Sequence, residues 1–360
     1  MRAAFYDDWA ALKDKLSAAA LDQGIPLFGT FELTPFCNLG CKMCYMRLSK
    51  EEAAAISRPL SCNDWLALGE AAQKSGTLFL LLTGGEAMLR PDFPEIYEGL
   101  SRMGFLIKLY TNATLVTPAL QELFRRIPPS AVGISIYGAS PETYERVTGQ
   151  KEAYEKAMQG LDFFLSLSIP VQIRTTISKL NVSDFDALCA MATEKGADFV
   201  YCSVLSAAVR GAKSDVASVR LAPKELLALR EHINRDLSPE TLRHIAEDKD
   251  ACAGEAFSCT AGKTSYVITW EGHMRPCLLF DRPYAEPLLC GFSAAWDAIK
   301  NAASKIKAPP DCRACKKSAY CTACLGAIQA ENRHLDEPSA YHCAWGECLY
   351  DAMHPKEEEA

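Results

Sequence analysis

Between residues 27 and 205, short apolar or β-branched runs alternate with longer stretches in which apolar positions recur every three or four residues. The runs LFGTFELT, TLFLLLT, FLIKLYT, AVGISIY, VQIRTTIS and DFVYCSVL predict six strands. Helical patterns fall between them near Trp65–Lys74, Pro94–Met103, Pro118–Arg126, Glu152–Leu167 and Asp184–Lys195. Strand-then-helix units of this size predict a parallel sheet with right-handed crossovers. A closed eight-unit barrel wants about 250 residues, so the expected α/β fold is a partial (β/α)6 TIM-like barrel. Its chemistry belongs at the C-terminal ends of the strands.

The remaining chain divides by composition. Residues 1–26 read as an N-terminal helical extension, 27–208 as the barrel and 209–250 as a polar helical bridge. Residues 251–350 read as a Cys-rich C-terminal domain and 351–360 as a disordered tail.

Composition alters this picture at one point. A chain of 360 residues, 49% hydrophobic and 23% charged, is an ordinary globular protein. A net charge of −7 argues against nucleic acid and against anionic membranes as partners. No stretch reads as a signal peptide, and the apolar run Leu78 to Leu82 is far too short to span a bilayer, so the cytoplasm is the expected location. The anomaly is sixteen cysteines, ten of them between Cys252 and Cys348. In a reducing compartment such a surplus points to metal ligation rather than disulfides.

FELTPFCNLGCKMCYM sets Cys37, Cys41 and Cys44 at C-x3-C-x2-C directly after the first strand. Three thiolates on one loop suit three irons of a [4Fe–4S] cube, leaving an open iron for the amino and carboxylate groups of S-adenosylmethionine (SAM). A closed zinc site would want a fourth ligand close by.

This triad, and Thr83-Gly84-Gly85-Glu86 after the second strand, resemble the radical SAM superfamily over residues 27–205. The resemblance implies reductive cleavage of SAM to a 5′-deoxyadenosyl radical and hydrogen abstraction from a substrate. It casts Cys37, Cys41 and Cys44 as the catalytic cluster ligands. Gly84, Gly85 and Glu86 become the GGE motif, with glycines letting backbone approach the ligand and a carboxylate pairing with the SAM ammonium. Asn112 ends the third strand. Ser135 and Arg146 are cast as partners of the SAM carboxylate, and Arg174 as a partner of its ribose or carboxylate. For Ser135 and Arg174 the plain alternatives are a strand-end hydroxyl and a structural ion pair.

Cys259, Gly272 and Cys277, then Cys312-x2-Cys315-x5-Cys321-x2-Cys324 and Cys343, resemble a SPASM domain, the auxiliary-cluster module of peptide-modifying radical SAM enzymes. The two residues between Cys321 and Cys324 depart from the three found in many members. The resemblance implies one auxiliary [4Fe–4S] cluster on Cys259, Cys277 and Cys324, with either Cys252 or an open iron at the fourth position. It implies a second on Cys312, Cys315, Cys321 and Cys343, with Cys348 as the alternative to Cys343. Taken alone, Cys312–Cys324 suits a zinc ribbon equally well, so a zinc-binding interaction protein is the non-enzymatic alternative. Cys62, Cys189, Cys202 and Cys290 read as buried small hydrophobes.

Three substrate classes follow from the resemblance: a peptide undergoing maturation, a sulfatase gaining formylglycine, or a small molecule such as a sugar or tetrapyrrole. Sulfatase-maturing enzymes carry an Asp directly after the cysteine matching Cys277; here Leu278 stands there. Only 36 residues precede Cys37, too few for a leader-binding domain, so either a separate peptide-recognition protein or a substrate without a leader is expected. The low-potential electron implies a flavodoxin or ferredoxin donor.

Overall fold

The computed structural model describes residues 2–234, 257 and 259–354, with residues 2–8 described by backbone alone. Six parallel strands follow the predicted order: β1 (Phe28–Glu32), β2 (Phe79–Thr83), β3 (Leu106–Thr111), β4 (Ala131–Ser135), β5 (Val171–Thr176) and β6 (Asp198–Cys202). Helix α1 (Arg2–Gln23) precedes them. Along the sheet come α2 (Lys50–Ile56), α3 (Cys62–Lys74), α4 (Phe93–Arg102), α5 (Pro118–Arg126), α6 (Pro141–Thr148), α7 (Ala153–Ser166) and α8 (Phe185–Lys195).

The sheet's alternation explains its two faces. Leu80, Leu82, Ile107, Leu109, Val132, Ile134, Val171 and Ile173 are buried in one cluster with Trp65, Phe93, Phe124 and Phe164 from the helices. The alternate positions, Lys108, Tyr110, Gln172 and Arg174 among them, face the other way, into the concave side of a partial barrel.

Helices α2 and α6 were not among the predicted elements, although both carry start signals. Ser49 and Glu52 form a capping box for α2. Ser140 caps α6, Pro141 occupies its first turn and Gly149, at φ 73°, ends it.

The largest departure is at the sheet edge. Strand β7 (Ser265–Ile268) lies parallel beside β1, and β8 (Met274–Arg275) turns back antiparallel through Gly272, at φ 90°. The sheet therefore has eight strands, in the order β6-β5-β4-β3-β2-β1-β7-β8. The C-terminal region does not begin as a separate body, because its first hairpin hydrogen-bonds the edge that β1 would otherwise expose.

Within the expected bridge lie α9 (Val216–Val219) and α10 (Pro223–Ile233). Leu226 and Leu229 of α10 pack against Trp345 and Leu349 of the last helix, Ala340–Met353. That helix runs past the point where the tail was expected to start, since the apolar contacts of Leu349, Tyr350 and Met353 hold its final turn. Residues 235–250 and 355–360 lie outside the described residues. Cys202 and Cys290 are exposed rather than buried, one ending the outermost strand and the other ending the short helix Pro287–Cys290. Among the described residues no helix is long and apolar enough to cross a membrane.

Candidate active site

The cysteine loop leaves β1 at its C-terminal end, where a parallel α/β sheet presents its chemistry. Its backbone is clamped by α6, with Gly40 N–H donating to Thr148 O at 2.8 Å and Lys42 N–H to Val147 O at 3.2 Å. The GGE segment clamps the other side. Gly85 N–H donates to Thr34 O and Glu86 N–H to Phe36 O, each at 2.8 Å. A Cβ on Gly85 would sit 2.2 Å from Phe36 O, and one on Gly84 2.6 Å from Thr34 O. Gly84 also holds φ 142°. These glycines therefore admit the protein's own cysteine loop, where the sequence argument had them admitting a ligand.

Glu86 is likewise engaged by the chain itself. Its Oε2 accepts from Thr111 Oγ1 and Asn112 N–H, each at 2.8 Å, and its Oε1 accepts from Met88 N–H at 3.1 Å. Three of about four acceptor positions are thus taken. Burial raises the Glu86 pKa, and the bonds from Asn112, Met88 and Thr111 oppose that rise. The carboxylate ties the end of β2 to the end of β3, and so places Asn112. The Asn112 amide then donates to Asn38 Oδ1 at 3.0 Å and lies 3.7 Å from the Cys37 sulfur. Asn38 donates to Thr114 Oγ1 at 2.8 Å, completing a polar ring that only Asn112 announced in the sequence.

Cys44 lies close enough to Cys37 and Cys41 to raise the pKa of each. Burial pushes Cys37 up to about 12 and Cys41 well above its ordinary value. Leu39 N–H donates to the Cys37 sulfur at 3.4 Å. The desolvated thiols of Cys37 and Cys41 favour their protonated form until a cation replaces the protons, which is what ligation of iron supplies. The triad therefore fits a metal cluster.

The other residues named from the sequence are more dispersed. Ser135 ends β4 beside the buried Tyr137 phenol, whose pKa burial raises and which also feels all three cysteines. Arg146 is held on α6, with Nε donating to Leu180 O at 2.8 Å and a terminal nitrogen to Thr143 Oγ1 at 3.0 Å. Arg174 turns down the strand, 4.4 Å over the Tyr110 ring and 3.4 Å from Gln172 Oε1.

Behind the loop lies a charged group with no local sequence signal. Arg210 pairs bidentately with Glu32 at the end of β1, and Tyr45, next to Cys44, donates to Glu32 Oε1 at 2.9 Å. On the β7–β8 hairpin, Glu271 pairs with Arg275 at 2.9 Å and His273 at 3.4 Å. Burial would raise the Glu271 pKa, but the His273 bond and the charges of Arg275 and Arg210 bring it to about 2.

The C-terminal cysteines gather into two sets. Cys277 feels Cys324 and Cys259, and burial pushes it up to about 11. Cys252 lies outside the described residues. Cys312, Cys315, Cys321 and Cys343 line a cavity of about 210 Å³ walled by Leu325 and Ile328. Cys348 points instead into the apolar cluster of Trp345 and Leu349. Among the described residues no three His, Cys, Asp or Glu side chains close on a point as a single ion would require. Four thiols around a cavity of that size fit a multi-iron cluster.

The radical SAM superfamily model matches residues 31–192. An AdoMet-dependent heme synthase of Methanosarcina barkeri (strain Fusaro / DSM 804) is 31% identical over 54% of this chain and 54% of its own length. The sporulation killing factor maturation protein SkfB of Bacillus subtilis (strain 168) is 24% identical over 74% of this chain and 63% of its own. The chain thus spans between half and two thirds of these relatives. Streptococcus suis SuiB, in a crystal structure with its precursor peptide SuiA, shares the fold at a TM-score of 0.64 and 16% identity, over 93% of this chain and 80% of SuiB. Residues 31–192, from within β1 through most of α8 and including the cysteine loop and the GGE clamp, thus carry a radical SAM domain.

Proposed function

We propose that the chain reductively cleaves SAM and abstracts a hydrogen atom from a peptide, as a maturase. The observation that carries this reading is the triad of half-buried thiols, held between the GGE clamp and Asn112 at the mouth of the barrel. When bound, a [4Fe–4S] cluster and SAM supply the low-potential electron and the radical chemistry.

The chain's own residues hold and shield that site. Asn112 and the Leu39 N–H direct donors at the Cys37 sulfur, Glu86 fixes Asn112, and Gly84 and Gly85 let the two loops close. Ser135 and Arg146 belong to the same proposed SAM site. Cys259, Cys277 and Cys324, and separately Cys312, Cys315, Cys321 and Cys343, are the proposed ligands of two auxiliary clusters. A flavodoxin or ferredoxin donor, a separate recognition protein and a cytoplasmic setting complete the proposal.

Peptide substrates are favoured because SkfB is named for maturation of a killing factor and SuiB was crystallised with a precursor peptide. The 31% match to a heme synthase sustains a second reading, in which a small molecule occupies the barrel.

The test is formation of 5′-deoxyadenosine by anaerobically reconstituted protein given SAM and dithionite, beside a variant with Cys37, Cys41 and Cys44 changed to Ala. Product from the parent alone supports the reading. A parent that holds zinc and binds no SAM sinks it.

A further inference from the structure

On the concave face, β3, β4 and β5 carry a fitted group of side chains that the cysteine chemistry does not use. Lys108 Nζ donates to Gln172 Oε1 at 2.8 Å, and Arg174 reaches the same oxygen at 3.4 Å. Both cations lie over one aromatic ring, Arg174 at 4.4 Å and Lys108 at 5.2 Å from the Tyr110 centroid. Gly133 makes the crossing possible. A Cβ there would sit 2.6 Å from Arg174 Cδ and 2.7 Å from the Tyr110 ring. Three adjacent strands have thus been matched so that a guanidinium can cross the middle one.

The charges in this group do not cancel. Among the described residues neither Lys108 nor Arg174 has a carboxylate within ion-pair distance; their shared acceptor is a neutral amide. Lys13 of α1, 5.7 Å over the Phe28 and Phe79 rings, adds a third positive charge to the same face. Asp198 on β6 is the acid that acts on Lys108. Burial, then the charges of Arg174 and Lys13, lower the Lys108 pKa. Like charges brought together out of bulk water repel more strongly than in it, and an anion between them would relieve that repulsion.

We propose that Lys108 and Arg174 form a carboxylate-binding seat in the barrel lumen, with Tyr110 as its wall and Gln172 as its brace, that holds an acidic group of the substrate. The guanidinium offers a two-pronged contact and the ammonium a point charge. Tyr110 and Lys108 precede Asn112 on the same strand by roughly 7 and 13 Å at a strand's rise per residue. A carboxylate on the seat therefore anchors a substrate beneath the cysteine loop. The seat stands on its own geometry; only the naming of its occupant as substrate rests on the function proposed above. An acidic peptide side chain and a small polycarboxylate present the same chemistry to it.

The test uses reconstituted full-length protein under anaerobic conditions at fixed ionic strength. Its probes are citrate, an acetylated Gly-Glu-Glu-Gly amide, the Gln analogue of that peptide, and SAM. Parent protein should bind citrate or the Glu peptide saturably and the Gln peptide at least tenfold more weakly. Lys108→Gln and Arg174→Gln should each weaken that binding about tenfold and not lower the melting temperature of unliganded protein, and Lys108→Gln should leave SAM affinity within twofold. Lys108→Met provides the same readout should the Arg174 variant fail to fold. Preference for the peptide would mark an acidic peptide residue as occupant, and preference for citrate a small molecule. The seat is overturned if neither carboxylate probe binds, if the variants bind them as the parent does, or if Arg174→Gln weakens SAM and spares the probes. Because 5′-deoxyadenosine formation with dithionite is measured separately, an empty seat in a protein that still cleaves SAM leaves the proposed function standing.

Discussion

Arg210 and Glu32 form a buried bidentate ion pair, with side chains 6% and 0% exposed, between the end of β1 and a loop 178 residues later. The Arg210 backbone takes φ 54°, an uncommon setting for a residue other than glycine. Tyr45 supplies a third contact to Glu32, so the pair is also joined to the cysteine loop. Removing one member strands the other charge. Glu32→Gln or Arg210→Met should each cost about 3–5 kcal/mol, and the double variant much less than the sum. Anaerobic urea denaturation of all four proteins measures this coupling.

Gly85 tolerates no side chain, because its missing Cβ faces the carbonyl of Phe36 at 2.2 Å. Gly85→Ala should displace the cysteine loop and leave the rest of the sheet formed. The expected outcome is loss of about four of twelve irons per chain, with unchanged far-ultraviolet circular dichroism and no SAM cleavage.

Cys343 and Cys348 separate in the same way. Cys343→Ala should reduce iron by about four per chain. Cys348→Ala should keep the iron and cost about 1 kcal/mol from the apolar cluster. Iron and acid-labile sulfide assays distinguish them.

Glu271 gives a pH dependence of definite sign. Its folded-state pKa, about 2, lies below the ordinary carboxylate value of 4.5. It therefore contributes stability that is fully present above pH 4.5 and is lost as pH falls toward 2. Glu271→Gln should be less stable than the parent at pH 6, with the gap closing through that window. Denaturation midpoints between pH 6 and pH 3 would show the convergence.

The six strands and five of the barrel helices were legible because β-branched alternation and helical periodicity leave strong local marks. The triad was legible because its three ligands sit on one loop. What escaped was non-local. Nothing near Glu32 or Arg210 announces that they meet, since their partnership depends on how the chain returns after β6. The close approach of the GGE glycines to Thr34 and Phe36 was not legible either, because those partners lie on another loop. Strand β7 was absorbed into the cysteine-rich stretch because four residues, SYVI, offer too short a pattern to separate from it.

That strand governs how the chain matures. β1, made early, has β2 on one side and waits for residues 265–268 to cover the other. Until they arrive, a newly synthesised barrel carries a bare apolar edge open to other chains. A chain truncated after β6 would keep that edge permanently and should accumulate as aggregates. The strand that seals the edge also leads, through the β7–β8 hairpin, to Cys277, so completing the sheet fixes where that cysteine stands.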